Sequence, residues 1–71
     1  MDKNDLIIGD TLTTRNGNEL TLGNIYGDLY NKFNKVERTL SSWTLDLKQC
    51  NGFTEDDIVK VERKNIIFQA D

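Results

Sequence analysis

The sequence predicts a mainly β domain of short, tightly turned antiparallel strands, and three observations carry that prediction. Asn16-Gly17 sits between two β-prone runs, the strongest short-range hairpin signal a sequence offers, because the central residues of the tight turn need positive φ. Near the other end, the β-branched run Ile58-Val59-Lys60-Val61 and the apolar run Ile66-Ile67-Phe68 flank the two-residue link Lys64-Asn65, which reads as a second hairpin. Gly9 and Gly23 interrupt the alternating runs at points where a small, strongly curved sheet needs a bulge or bend. With 71 residues the chain is read as one small domain over 1–71, near the lower limit for a core with no staple.

The elements follow in order. A first strand is expected through Leu6-Ile7-Ile8 and, after Gly9-Asp10, through Thr11 to Arg15, with Leu6, Ile8, Leu12 and Thr14 on one face. Beyond the Asn16-Gly17 turn, Leu20 and Leu22 repeat the alternation; Ile25 falls out of phase, as a bulge would make it. The middle supports two readings. Ile25, Leu29, Phe33, Val36 and Leu40 are spaced four, four, three and four apart, an amphipathic stripe that predicts a helix over about 28–41. Against it stand Gly27, Asn31 and Asn34, which favour turns. Trp43, Leu47 and Cys50 suggest one side of a short helical turn, ended by Asn51-Gly52. Thr54 with Asp57 resembles a capping box, but the β-branched residues that follow favour a strand over 58–63.

Two segments together carry a resemblance. Gly9-Asp10-x-Leu12-x-x-Arg15-Asn16-Gly17 and Asp57-Ile58-Val59-Lys60-Val61-Glu62-Arg63, with Trp43-Thr44-Leu45-Asp46-Leu47 between them, resemble small uncharacterised phage and prophage proteins of Gram-positive bacteria. The resemblance covers about half the chain, at both ends. It implies a small SH3-like β-barrel of about five strands and brings no catalytic motif with it. Residues 26–42 depart from that pattern. The alternative architecture is therefore α+β, with the helix over 28–41 packed on β-hairpins.

Composition excludes several function classes. With no histidine and one cysteine, Cys50, neither a usual metal site nor an intrachain disulfide can be assembled, which points to a reducing, cytoplasmic compartment. No run approaches the length of a membrane span, and the first five residues do not read as a signal peptide. The net charge of −3, from nine Lys and Arg interspersed with twelve Asp and Glu, argues against a nucleic-acid backbone binder. A nucleic-acid module would need Arg15, Lys32, Lys35, Arg38, Lys60, Arg63 and Lys64 gathered on one face.

Enzymatic readings fail in turn. The commonest general base is missing, Cys50 has no imidazole to activate it, and the glycines lack phosphate-loop spacing. A carboxylate pair such as Asp10 with Asp28 would need a cleft that so short a chain rarely forms. No catalytic residue, cofactor or metal is expected. Phe33, Phe53 and Phe68 are expected in the core, with Cys50 as a small buried apolar side chain. Arg15 is expected to close the hairpin or pair with a strand neighbour.

What remains is binding. Tyr26, Tyr30 and Trp43 are amphipathic aromatics beside polar loops, the kind that anchor interfaces, with Trp43 reading equally as a lid on the core, and Glu55, Asp56 and Asp57 would form an acidic rim. The expected function is a non-catalytic phage or prophage accessory protein. It would bind a host or phage protein, in the manner of an inhibitor of host defence or replication, in the host cytoplasm. Two further readings stay open: a nucleic-acid accessory module, and an oligomer sequestering a small metabolite. Homo-oligomerisation is compatible with all three, since a partner subunit would stabilise so small a domain by mass action.

Overall fold

The computed structural model describes residues 1–69, and among these the fold is mainly β. Six antiparallel strands form one sheet that does not close: β1 (Thr11–Thr14), β2 (Glu19–Leu22), β3 (Asp28–Tyr30), β4 (Val36–Thr39), β5 (Ile58–Arg63) and β6 (Ile66–Gln69). The order across the sheet is β4-β3-β2-β1-β5-β6, so β4 and β6 are its edges. The described helical segments are three short 3-10 turns at Lys3–Asp5, Leu40–Ser42 and Thr54–Asp56. The arrangement is consistent with the small SH3-like barrel that the resemblance implies, with six strands in place of about five.

Alternation decides which side chains meet. Leu12 pairs with Leu20 and Val61, and Val61 with Phe68, so one row crosses the concave face as Leu20, Leu12, Val61 and Phe68. With Leu22, Leu29, Trp43, Leu47 and Ile58 these make the core, Phe68 lying at its margin beside Leu6 and Leu40. Ile58 and Val61 are three apart and would face opposite ways in a regular strand. A bulge shifts the β1–β5 register between Thr13 and Thr14, placing Thr14 opposite Ile58 and leaving Val59 as the extra residue, so both reach the core. The outer face carries the row Tyr30, Thr21, Thr11, Glu62 and Ile67.

The reversals share one design. In Thr14–Asn18, Asn24–Asp28, Asn31–Lys35 and Thr44–Lys48, the first carbonyl accepts from the fourth N–H, at 2.9, 3.3, 2.9 and 3.0 Å. The first side-chain oxygen accepts from the fifth N–H, at 3.0, 3.3, 3.2 and 3.2 Å. The fourth residue is left-handed in every case: Gly17 at φ 94°, Gly27 at 87°, Asn34 at 62° and Leu47 at 68°. A Thr or Asn side chain thus supplies an acceptor that the turning backbone lacks.

This design overturns several sequence expectations. The Asn16-Gly17 hairpin forms, but through a three-residue loop in which Gly17 is left-handed and Asn16 is not. The outward amides of Arg15 and Asn16 are held by the carbonyls of Asp57 and Glu55, at 2.9 and 3.0 Å, which fixes the longer loop. The helix over 28–41 does not form: Asn24 and Asn31 bond to the backbone of their own turns, and β3 and β4 take its place. Of the helical stripe only Leu29 is fully buried, while Ile25, Phe33 and Val36 face solvent.

Leu6–Ile8 is not a strand. A turn closed by Asp10 N–H to the Ile7 carbonyl (3.1 Å) carries Gly9, and β1 begins only at Thr11. Residues 43–50 are likewise not helical; Trp43 and Gln49 bridge across the Thr44–Lys48 loop. Phe33 and Phe53 stand at exposed turns, and Cys50 is exposed, where the sequence suggested burial. Their places in the core are taken by Trp43 and Leu47. The strands over 58–63 and 66–69 form as expected, joined through Lys64-Asn65.

Lys64 adopts φ 54°, a conformation in which any Cβ is strained. Lys64→Gly should raise the unfolding free energy by roughly 0.5–1 kcal/mol, the relieved strain exceeding the added entropy of the unfolded chain. Urea denaturation checks it; an unchanged or lower midpoint contradicts the strained turn.

Candidate protein-binding surface

The structure separates the aromatics and acids that the sequence put on one surface. Trp43 is only 1% exposed and lies in the core, so of its two readings the core lid holds and the interface anchor does not. Its indole Nε1–H donates to the Asp56 carbonyl at 2.9 Å, and its own carbonyl accepts from Lys3 Nζ at 2.7 Å. The Arg38 guanidinium sits 5.3 Å from the indole centroid and 3.8 Å from the Asp56 carboxylate. Asp57 is also buried: its Oδ1 accepts from the Gln49 N–H at 2.7 Å, and its Oδ2 lies 3.9 Å from Arg15 Nη2. Trp43, Asp56 and Asp57 are therefore brought together, as the fastening of the 40–57 segment onto the sheet. Glu55 is exposed beside them.

The tyrosines lie elsewhere. Tyr30 belongs to the outer-face row, and its ring occupies the space that a Cβ on Gly23 would need, at 2.2 Å. Tyr26 occupies the tip of the Asn24–Asp28 loop and is 82% exposed, as is Ile25 beside it. That loop is braced from within: Asn24 Oδ1 accepts from the Tyr26 N–H at 2.9 Å, and Asn24 Nδ2 donates to Asp28 Oδ2 at 2.9 Å. Two large apolar side chains are thus held outward on a fixed frame.

Grooves flank this ridge on both sides. One, of about 570 Å³, runs between Ile25 and the Ile7-Ile8 turn, with Leu22 and Leu40 among the residues beneath. The other runs from Tyr26 to Leu45, past Lys3 and Ser41. Ile7, Ile8, Ile25, Tyr26 and Leu45 all expose more than half of their surface. Sequence reasoning assigned Ile7 and Ile8 to a strand and Ile25 to a bulge or helical stripe. The signal that reveals the ridge is a pair of large apolar residues inside the turn-forming frame Asn24-x-x-Gly27-Asp28.

The buried acid is committed to structure. Asp10 is completely buried and receives a two-pronged guanidinium: Arg63 Nε to Oδ1 and Nη2 to Oδ2, both at 2.8 Å, with the Ile7 N–H adding a third bond at 2.9 Å. Arg63 Nη2 also reaches the Asp5 carbonyl at 2.8 Å, and its guanidinium stacks 5.2 Å from the Phe68 centroid. Asp28, the other half of the carboxylate pair raised from sequence, is engaged with Asn24 instead. The bond from Arg63, followed by the Ile7 N–H, holds the Asp10 carboxyl below its ordinary value of 3.8 against the opposing effect of burial. Among the described residues no cluster of acids and cysteine suits a metal ion, and no helix is long and apolar enough to cross a membrane. Comparison with protein-family models, with curated proteins and with solved structures finds no match to this chain.

A carboxyl whose pKa is lower folded than unfolded stabilises the fold above the unfolded value, and that contribution is lost as pH falls through the folded one. Asp10 should therefore make the melting temperature fall on acidification below about pH 4. Asp10→Asn should cost roughly 1–3 kcal/mol at pH 7, leaving the guanidinium without its buried anion, and should flatten that acid limb. Thermal melts of both proteins from pH 2 to 7 test this; parallel curves would show that the pair carries no pH-dependent stability.

Proposed function

We propose that the protein is a non-catalytic module that binds another protein through the ridge of Ile25 and Tyr26 and its flanking grooves. One observation carries the reading: a contiguous apolar cluster, contributed by the 6–8, 24–27 and 40–45 segments, stands exposed around an internally braced loop. Exposed apolar patches rimmed by polar residues are what protein interfaces leave on a free monomer, and a rigid tyrosine at the centre suits a binding hot spot. Lys3, Asn4, Asn24 and Ser41 supply the polar rim. Tyr26 is retained from the residues expected from sequence, while Trp43, Asp56 and Asp57 act behind the surface as scaffold.

The resemblance to phage and prophage proteins supports a partner of host or phage origin in the host cytoplasm. Occlusion of a host defence or replication protein is the expected mode. Binding rather than chemistry is favoured because the buried acid is already neutralised by Arg63 and the exposed Cys50 thiol points at the Ser41 carbonyl. Affinity would come from apolar burial, with the braced loop limiting the entropy lost on docking.

Ile25→Ser and Tyr26→Ser should leave the melting curve within about 0.5 kcal/mol of the parent, since both side chains face solvent. Each should abolish capture of the parent's stoichiometric partner from host lysate, whereas Phe33→Ser, at an exposed turn elsewhere, should retain it. Loss of capture in the Phe33 variant alone, or in none, removes this surface.

A further inference from the structure

Strand β6 is a sheet edge that lacks the usual guards. Its segment Asn65-Ile66-Ile67-Phe68-Gln69 contains no charge and no proline, and Ile66 and Ile67 are each 55% exposed. The opposite edge, β4, carries Glu37 and Arg38 and follows Lys35, and a bulge disturbs its register with β3 between Leu29 and Tyr30. Charge and bulging are how natural sheets block edge-to-edge pairing. Over the described strands, β4 carries these guards and β6 does not.

The register fixes which backbone groups are left over. Arg63 pairs with Ile66 across a two-residue link, so these two must exchange the ladder hydrogen bonds that close the hairpin. Alternation makes Glu62–Ile67 a non-bonded pair and Val61–Phe68 a bonded one. The N–H and C=O of Ile67 and Gln69 therefore point away from β5. Among the described residues, no other segment supplies a backbone bond to 66–69.

We propose that this edge pairs with the same edge of a second copy, antiparallel, about a two-fold axis through Ile67. In that register the two Ile67 residues exchange both backbone bonds, and Gln69 meets Asn65 of the other copy. Ile67 packs on its counterpart on the outer face, while on the other face each Ile66 meets Phe68 of the other copy. Every side-chain pair is apolar or uncharged, so no like charges oppose one another, as they would where charged positions met across such an axis. Shifting the axis to Phe68 would set Ile67 against Gln69, which matches less well. A second copy satisfies both faces and the backbone together, which a heterologous strand would have to reproduce by coincidence. The result is one continuous sheet of twice the width.

Five residues a side bury less than the roughly 1,000 Å² of a stable interface, so the pairing is a reversible association seen at high concentration. It is separate from the Ile25–Tyr26 ridge, and its failure would leave that surface untouched.

Sedimentation velocity over a wide concentration range should show monomer–dimer exchange. Ile67→Lys should remove that exchange without lowering the melting temperature, because the side chain is on the solvent face. In a Cys50→Ser background, Ile67→Cys should oxidise to a covalent dimer at least tenfold faster than Ile66→Cys or Phe68→Cys. The two copies of residue 67 would sit about 5.5 Å apart between Cα atoms, inside disulfide range, whereas 66 faces 68. A protein monomeric at millimolar concentration overturns the proposal. So does exchange that survives Ile67→Lys, or cross-linking at 66, 67 and 68 at equal rates. Capture of an unrelated extended peptide along β6 by a chain that stays monomeric would assign the edge to a different occupant and equally overturn it.

Discussion

Everything in this fold hangs on reversing the chain within a few residues. The described strands are three to six residues long, and the sheet can form only if each reversal satisfies its own backbone without help from a large interior. The Thr14, Asn24, Asn31 and Thr44 side chains do this by accepting from an N–H four residues on, and a left-handed fourth residue completes each turn. At Gly17 and Gly27 the left-handed conformation carries no Cβ penalty. Leu47 does carry one, and its side chain is fully buried, so packing offsets backbone strain at that position. The turns are thus the organising local structures, with the core assembled between them.

The polar groups inside the fold follow from that economy. A sheet that does not close leaves its interior open at the ends, and the 40–57 segment covers the gap with Trp43 and Leu47. Covering it brings Asp57 and the Gln49 backbone inside, where they bond to each other. It also directs the Trp43 N–H onto the Asp56 carbonyl. At another point the turn before β1 buries Asp10, and Arg63 from β5 meets it with two parallel bonds. Breaking such a pair costs far more than the pair is worth against an apolar alternative, so its role is better described as fixing register than as adding stability. It locks Asp10, adjoining β1, to the neighbouring strand β5.

The sequence shows the strands more clearly than the surface, for a physical reason. Alternation at Leu20 and Leu22, and β-branching at Ile58, Val59 and Val61, report a buried face directly. The two hairpin links are written in Asn16-Gly17 and Lys64-Asn65. The middle misled because Ile25, Leu29, Phe33, Val36 and Leu40 carry a helical period by arrangement of turn tips and strand positions, not by sharing a face. The competing signal was present: Asn24-x-x-Gly27 and Asn31-x-x-Asn34 repeat one turn frame, and turn chemistry overrides apolar spacing where four of the eleven residues 24–34 are Gly or Asn. Leu47 gave no such signal, since nothing in a leucine announces a left-handed backbone. Trp43 reads equally as a core lid or an interface anchor. Its fate depends on whether the sheet closes, a property of the whole assembly that no local pattern encodes.

Exposed apolar side chains follow from the same constraint. With a core of eight buried apolar residues among those described, large side chains such as Ile25, Tyr26, Phe33 and Phe53 cannot all be accommodated inside. Most surface apolar residues on any protein need no explanation. What separates Ile25 and Tyr26 from Phe33 is company: Ile7, Ile8 and Leu45 come from distant parts of the chain to stand beside them, while Phe33 is flanked by Lys32, whose ammonium lies 5.3 Å from its ring. A lone aromatic beneath a lysine is a shielded turn tip. Side chains converging from three segments onto a braced loop form a surface, and the proposed binding site rests on that convergence.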